Sequence, residues 1–186
     1  VCDRGMIKGP QIKQLQAEKD HEFHYITAIT KSQIESLLKK HVLQMELFDE
    51  TVSEVIAKDD VRYVLRRNPI RAAEMAATRE SKLATLQKLV DEQNTYLAEH
   101  PRASLSVARR KVEQKSKKLR LPTVDVKVAD RTLSLSKDQE QWNEVAKLDG
   151  CYCVKTDLPK KQVSKEIVHQ RYKDLSQVEW AFRTSK

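Results

Sequence analysis

The residues whose types and spacing could do chemistry sit at the C-terminal end. In YKDLSQVEWAFRTSK, Tyr172, Glu179 and Lys186 follow one another at intervals of seven. Seven residues turn an α-helix through about 700°, some 20° short of two full turns. The three side chains therefore line one face, with roughly 10 Å between neighbours along the axis. Leu175, Val178 and Phe182 fall on or beside that stripe and would anchor it against a sheet. Glu179 is thus an acid among inward-pointing apolar positions, and an acid there must be paired, protonated or bound to a cation. Arg183, four residues on, is the simplest partner, through an i,i+4 ion pair.

The second feature is charge. The chain has 186 residues and a net charge of +8, unevenly spread. RRKVEQKSKKLR (109–120) holds seven Lys or Arg against Glu113, and residues 155–186 hold eight against four acids. The other residues together are slightly acidic. Two concentrated basic blocks are what a polyanion-binding protein needs, although a solvated helix face would look the same. Three glycines (Gly5, Gly9, Gly150) leave no place for a Walker loop or a GxGxxG fingerprint. Cys2, Cys151 and Cys153 lack the four-ligand set of structural zinc, and no third ligand is evident beside His21 and His24. Buried, unbridged thiols in a reducing, cytoplasmic setting are expected instead. The five histidines form no nucleophile–base–acid order. No run approaches the roughly 18–20 apolar residues of a membrane span, and no secretory leader is read at the N-terminus.

These features need elements to position them. VCDRGM reads as the end of a buried strand entering a turn, so the natural chain is expected to begin upstream of Val1. Gly9-Pro10 opens a helix marked by Ile12 and Leu15, and FHYITAIT (23–30) reads as a buried strand. Strand, helix, strand makes a βαβ unit with a parallel pairing. Residues 32–42 read as a short helix with Ser32 and Glu35 as its capping box, and 54–67 as a hairpin turning at Lys58-Asp59-Asp60. A long helix from about Pro69 to His100 carries an apolar face through Ile70, Ala73, Ala77, Leu83, Leu86, Val90 and Leu97. A second helix from Ser104 places the basic block on the other arm of a helical hairpin (70–119). That arm, rather than a second copy of the chain, is the expected cover for the long helix. Strands at 123–136, a helix at 137–148, the strand CYCVKTDL and a helix from about Gln162, possibly divided near His169, complete the reading. Core packing is the expectation for Trp142 and Trp180; of the two, Trp142 is the better candidate to stack on an unpaired base.

The C-terminal stretch resembles the Y-x2-R-x3-E-x6-K signature of insertion-sequence transposases with a DDE catalytic domain. Tyr172, Glu179 and Lys186 match at the family spacing, and Leu175 stands at the Arg position, whose role is left unfilled or passes to Arg171 or Arg183. Asp3-Arg4-Gly5-Met6 looks like the context of that family's second catalytic aspartate, and DGCYCVKTDL (149–158) looks like the strand before its signature helix. The resemblance implies an α/β fold with a partial RNase H-like core. Segment 1–30 would carry the second Asp, 31–149 would be an insertion, and 150–186 would be the core strand and catalytic helix. Asp3 and Glu179 would be the catalytic, metal-holding acids; the first Asp would lie upstream. Mg2+ or Mn2+, two ions in the complete site, would support phosphodiester hydrolysis and strand transfer. Tyr172 and Lys186 would hold the DNA backbone, and Arg183, Arg109, Arg110 and Lys111 would add contacts to transposon-end or target DNA. Lacking the first Asp, this stretch alone would be inactive. A homodimer in the synaptic complex, a bacterial cytoplasmic, nucleoid-associated location and no membrane partner are the corresponding expectations. The alternative is a non-catalytic basic α/β module that binds nucleic acid, or a decayed transposase relative.

Overall fold

Cys151, Cys153 and Val154 on one strand and Tyr63, Val64 and Leu65 on another are buried in succession, as happens where a strand is covered on both faces. In the computed structural model these are β6 (Cys151–Thr156) and β3 (Arg62–Arg67), the central strands of a four-stranded sheet. The order is β1-β6-β3-β2, with β1 (Ile26–Ala28) and β2 (Ser53–Ile56) outermost. Every pairing in it is antiparallel. The structure describes residue 1, residues 10–12, residue 14 and residues 23–184, without the side chains of Ser176, Glu179, Phe182 and Arg183. Pro10–Ile12 and Gln14 are helical, as expected; the parallel pairing read into 1–30 falls outside the described residues. The fold class is therefore mixed α/β, with antiparallel sheets. Among the described residues, no helix is long and apolar enough to cross a membrane.

The chain divides into two compact units, residues 1–69 with 150–186, and residues 70–149. The hairpin β2–β3, placed in the insertion by the sequence reading, supplies a central strand of the first unit. The chain leaves that unit and re-enters it at adjacent points: the Asn68 N–H donates to the Gly150 carbonyl at 2.9 Å. Gly150 has φ 72°, a conformation that a side chain would penalise.

In the first unit, α1 (Lys31–Lys39) is capped by Thr30, two residues before the Ser32 expected in that role. Thr30 and Gln33 form the capping box: Thr30 Oγ1 accepts from Gln33 N at 3.3 Å, and Gln33 Oε1 accepts from Thr30 N at 2.8 Å. A 3-10 turn (Met45–Leu47) follows. α5 (Lys165–Thr184) is one continuous helix, with no division near His169, and lies against β1, β3 and β6. Its Val168 is fully buried with Ile26, Val64 and Val154.

In the second unit, α2 (Pro69–Glu99) and α3 (Leu105–Leu119) form the helical hairpin, followed by the strand hairpin β4 (Val124–Ala129) and β5 (Thr132–Lys137) and then α4 (Gln139–Lys147). The core gathers Leu86, Val90, Leu97, Ala108, Val112, Leu121, Val124, Leu133 and Trp142. Ile70 is 72% exposed, and Ala73 and Ala77 are exposed with it. The expected apolar face thus begins only at Leu83, because α3 has 15 residues against 31 in α2 and covers part of it. Asn94 of α2 grips β5 at both backbone atoms of Leu133, accepting from its N–H at 2.8 Å and donating to its carbonyl at 2.9 Å. Asp130 and Arg131 take φ 45° and 62°, the two left-handed residues of a tight hairpin turn. Arg131 also donates to the carbonyls of His100 and Ala103, tying that turn to the helical hairpin.

Arg62 is the one charged residue buried in the sheet, at 1% exposure. Its Nε donates to Glu54 Oε2 at 2.8 Å, and Nη1 donates to the carbonyls of Val163 at 2.7 Å and Leu158 at 3.3 Å. Nη2 lies 2.6 Å from the same Glu54 oxygen but outside hydrogen-bond geometry, so that contact is ionic. Lys160 Nζ reaches the other oxygen at 2.6 Å. Burial pushes the Glu54 carboxyl up, but the hydrogen bonds and charges of Lys160 and Arg62 outweigh it and hold the group below its ordinary 4.5. Arg62→Ala is expected to destabilise the chain by about 3–5 kcal/mol, the scale for breaking a buried ion pair, since the Leu158 and Val163 carbonyls lose their donor and Glu54 keeps only Lys160. A lowered carboxyl adds stability above its unfolded pKa and loses it as pH falls. The gap between wild type and Arg62→Ala in urea melts should therefore narrow below pH 4.5.

Candidate catalytic helix and basic helical face

Side chains alternate across a strand, so Tyr152, Val154 and Thr156 of β6 share the face that α5 covers. Paired beside them on β3 are Arg66, Val64 and Arg62. This face is polar at both ends and apolar between. At one end Thr156 is fully buried, donates to the Tyr25 carbonyl at 2.6 Å and accepts from the Leu158 N–H at 3.1 Å. These bonds and the Arg62 clamp fix the connection from β6 to α5, where Ser164 Oγ accepts from Ile167 N at 3.3 Å.

At the other end stand Arg66, Tyr152, His169 and Tyr172. His169 is 6% exposed, its ring stacked on that of Tyr152 with centroids 5.7 Å apart and Nε2 hydrogen-bonded to the Tyr152 hydroxyl. Burial, with Arg66 and Lys173 nearby, pushes the imidazole below its ordinary 6.5. Burial also pushes the Tyr152 phenol up, an effect that Arg66 only partly offsets. The neutral imidazole accepts from the Tyr152 hydroxyl at Nε2 in one tautomer and donates to it in the other. Tyr172, one turn further along α5, is half-buried against the Ile26, Val64, Val154 and Val168 core and lies near the Tyr152 phenol.

Positions 172 and 179 belong to the same unbroken helix. Asp3 and Lys186 lie outside the described residues, as do the side chains of Glu179, Phe182 and Arg183, so the separation of the two acids does too. Leu175 is half-buried as expected, but Val178 is 50% exposed, since one residue before Glu179 is 100° around the helix. Arg171, a candidate for the signature arginine's role, is solvent-exposed beside Asp174 at 3.8 Å. The fold brings two guanidiniums to the α5-covered face, that of Arg62, engaged with Glu54, and that of Arg66, whose Nε donates to the Glu50 carbonyl at 2.8 Å. Arg66, Tyr152 and His169 are not among the site residues expected from the sequence, where His169 marks only a possible division of the last helix. Strand alternation in CYCV and the i,i+3 relation of His169 to Tyr172 were the available signals.

Asp157, just past β6, accepts from the Tyr25 N–H at 2.9 Å and lies 3.5 Å from His24 Nδ1. Cys151 and Cys153 are buried, and burial raises the Cys153 thiol far above its ordinary range, which keeps it protonated. Among the described residues, no group of three or more His, Cys, Asp or Glu is placed to hold a metal ion.

The second unit presents the basic block on α3. Arg109, Arg110 and Lys111 are all exposed, and Arg109 Nε is held by Glu113 at 2.7 Å. An open groove of about 700 Å³ runs between α3 and β4, lined by Arg109, Glu113, Lys117, Arg120, Val124 and Asp125, among others. Trp142 is 5% exposed in the core, with Lys137 and Arg79 over its ring at 4.9 and 5.6 Å, so it is closed to base stacking. Trp180, by contrast, is 68% exposed, against the expectation of core packing. It lies about 100° off the stripe on the side opposite Val178.

No protein-family model, curated protein or solved structure matches this chain.

Two outcomes test this geometry. A histidine with a lowered pKa stabilises the fold fully above its unfolded value and loses that contribution as pH falls. Wild-type stability should therefore drop below pH 6.5 by an amount that is missing from His169→Gln, in denaturant melts at about pH 7.5 and 5.5. Iodide should quench Trp180 and spare Trp142, so Trp180→Phe should leave a blue-shifted, quencher-resistant emission.

Proposed function

We propose that this chain is part of the catalytic domain of a DDE-type transposase that hydrolyses and transfers DNA strands at insertion-sequence ends. The observation that carries the reading is the Tyr172–Glu179–Lys186 spacing in the sequence, supported by the helix that bears its first two positions. Positions 172 and 179 lie on one continuous helix, which is seated on a sheet through Val168 and Tyr172. The adjacent exit and re-entry points at Asn68 and Gly150 support a core carrying an inserted unit, and an RNase H-like core is the form proposed. The exposed cations of α3 supply a surface for DNA in the same chain.

The donor chemistry fits a hard divalent cation. Asp3 and Glu179 would hold it, and carboxylate oxygens suit Mg2+ or Mn2+. Bound there, such an ion supplies Lewis-acid assistance to attack on a phosphodiester by water or a 3′-OH. The chain's own part is positional. Packing holds Tyr172 half-buried, so its hydroxyl can meet a phosphate oxygen at little entropic cost, and Lys186 adds charge. Transposon ends and target as DNA partners, a homodimer and a bacterial nucleoid location belong to the same proposal. A binding-only module would share the basic face and hold no divalent ion at Asp3 and Glu179.

The discriminating measurement is Mn2+ binding to the chain followed by electron paramagnetic resonance. Asp3→Asn and Glu179→Gln should each weaken binding at least about tenfold, some 1.4 kcal/mol. Asp59→Asn, in the exposed β2–β3 turn, should leave it unchanged. Equal Mn2+ affinity in wild type and Glu179→Gln would remove the catalytic assignment and leave the binding module.

A further inference from the structure

The outer face of α3 is more organised than its net charge implies. Ala108, Val112 and Ser116 are the buried positions of this helix. On the opposite side Gln114 is exposed, with Arg110 and Lys111 one turn before it and Lys117 and Lys118 one turn after, all exposed. At 100° per residue these five lie within an arc of about 120° centred on Gln114. Among the described residues none of the four cations has an ion-pair partner, whereas Arg109 on the flank is taken by Glu113. The nearby acids, Glu113 and Asp125, line the groove on one side, outside the arc. Lys117 and Lys118 occupy the last turn, where the helix dipole favours them. The dipole gives no account of Arg110 and Lys111, which sit mid-helix.

We infer that this face binds duplex DNA, with α3 in the major groove. Arg110, Lys111, Lys117 and Lys118 contact phosphates, and Gln114 faces the base edges. The inference rests on the DNA-binding part of the proposed function and is independent of its metal chemistry. A B-form major groove, about 12 Å wide, admits an α-helix, and glutamine there can pair with adenine N6 and N7. Cations on both sides of a central uncharged amide match phosphates on both sides of a groove. An A-form RNA helix has a major groove too narrow for this. An anionic membrane surface would require apolar residues between the cations, and the apolar residue in this arc, Val107, precedes all four of them instead.

The test is fluorescence anisotropy of the whole chain with a mixed-sequence duplex of about 20 base pairs, in EDTA, across about 50–300 mM salt. EDTA silences any metal site, so failure here and failure of the Mn2+ measurement are separate results. R110Q/K111Q/K117Q/K118Q should flatten the slope of log affinity against log salt by about 3.6, four contacts at roughly 0.9 each. K39Q/K40Q/K58Q/K161Q removes the same charge from exposed positions of the other unit and should change the slope by less than about 1. Gln114→Glu alone should weaken duplex binding at least about tenfold, by setting an acid at the centre of the face. Circular dichroism should show unchanged helix content in each variant. Equal losses in the two quadruple variants, or a wild-type slope in the α3 variant, would overturn the inference. So would α3-dependent binding to phosphatidylserine vesicles or to duplex RNA that matches or exceeds binding to DNA.

Discussion

Six residue pairs, from Arg62↔Thr156 to Arg67↔Cys151, join β3 to β6 across a gap in sequence that contains the entire second unit. The larger sheet depends on this pairing, because β1 and β2 attach only to the outer sides of these two strands. Closing a loop through flexible chain costs entropy that grows slowly, about 0.6 kcal/mol per doubling of length. A second unit that folds within itself reduces even that cost. The neighbouring ends at Asn68 and Gly150 then leave β3 and β6 facing each other.

The pairing also fixes what α5 meets. Register alone places Arg62, Val64 and Arg66 beside Thr156, Val154 and Tyr152 on one face. Arg62 holds two carbonyls of the β6–α5 connection, so it determines where the helix starts. Val168 then seats on Val64 and Val154, and His169 meets Tyr152. A polar clamp at one end and a hydrogen-bonded aromatic pair at the other leave the helix little freedom to slide or rotate. Glutamate 179 lies ten residues beyond His169 on this rigid element. The catalytic role proposed for it would draw on such a support, since catalytic groups must be held to within about 0.5 Å.

Much of this was legible in the sequence because the periodic signals were strong. The alternation of Val124, Val126 and Val128 marks β4, and the strands read at 123–136 are β4 and β5. Leu86, Val90 and Leu97, at helical spacing, mark the buried face of α2. Failures arose where burial depended on a partner's length or on a non-local pairing. Ile70 fits the apolar stripe of α2 and is still exposed, since α3 is too short to cover it. The hairpin read at 54–67 is present, but nothing local says that β3 pairs with a strand beyond residue 149. Trp180 is one residue from position 179 and yet points to solvent, because a single residue's step rotates the helix by 100°.

Charge shows most clearly what composition hides. Arg62, Arg79 and Arg109 count equally in a net charge of +8. In the fold, Arg62 is sealed under α5's connection with Glu54, and Arg79 is paired with the buried Asp149 beside Trp142. Neither can reach an outside anion without unfolding its surroundings. Arg109 is exposed but already neutralised by its neighbour one turn on. What remains for a partner is the set of exposed cations without an acid in reach, and on α3 that set is ordered around one uncharged amide. Net charge sets how strongly a polyanion is attracted at long range, and is screened within roughly 10 Å at 0.1 M salt. The spacing of unpaired cations decides which polyanion fits at contact. The helix that carries the basic block is thus informative through its arrangement, and the sum of its charges is the weaker part of the argument.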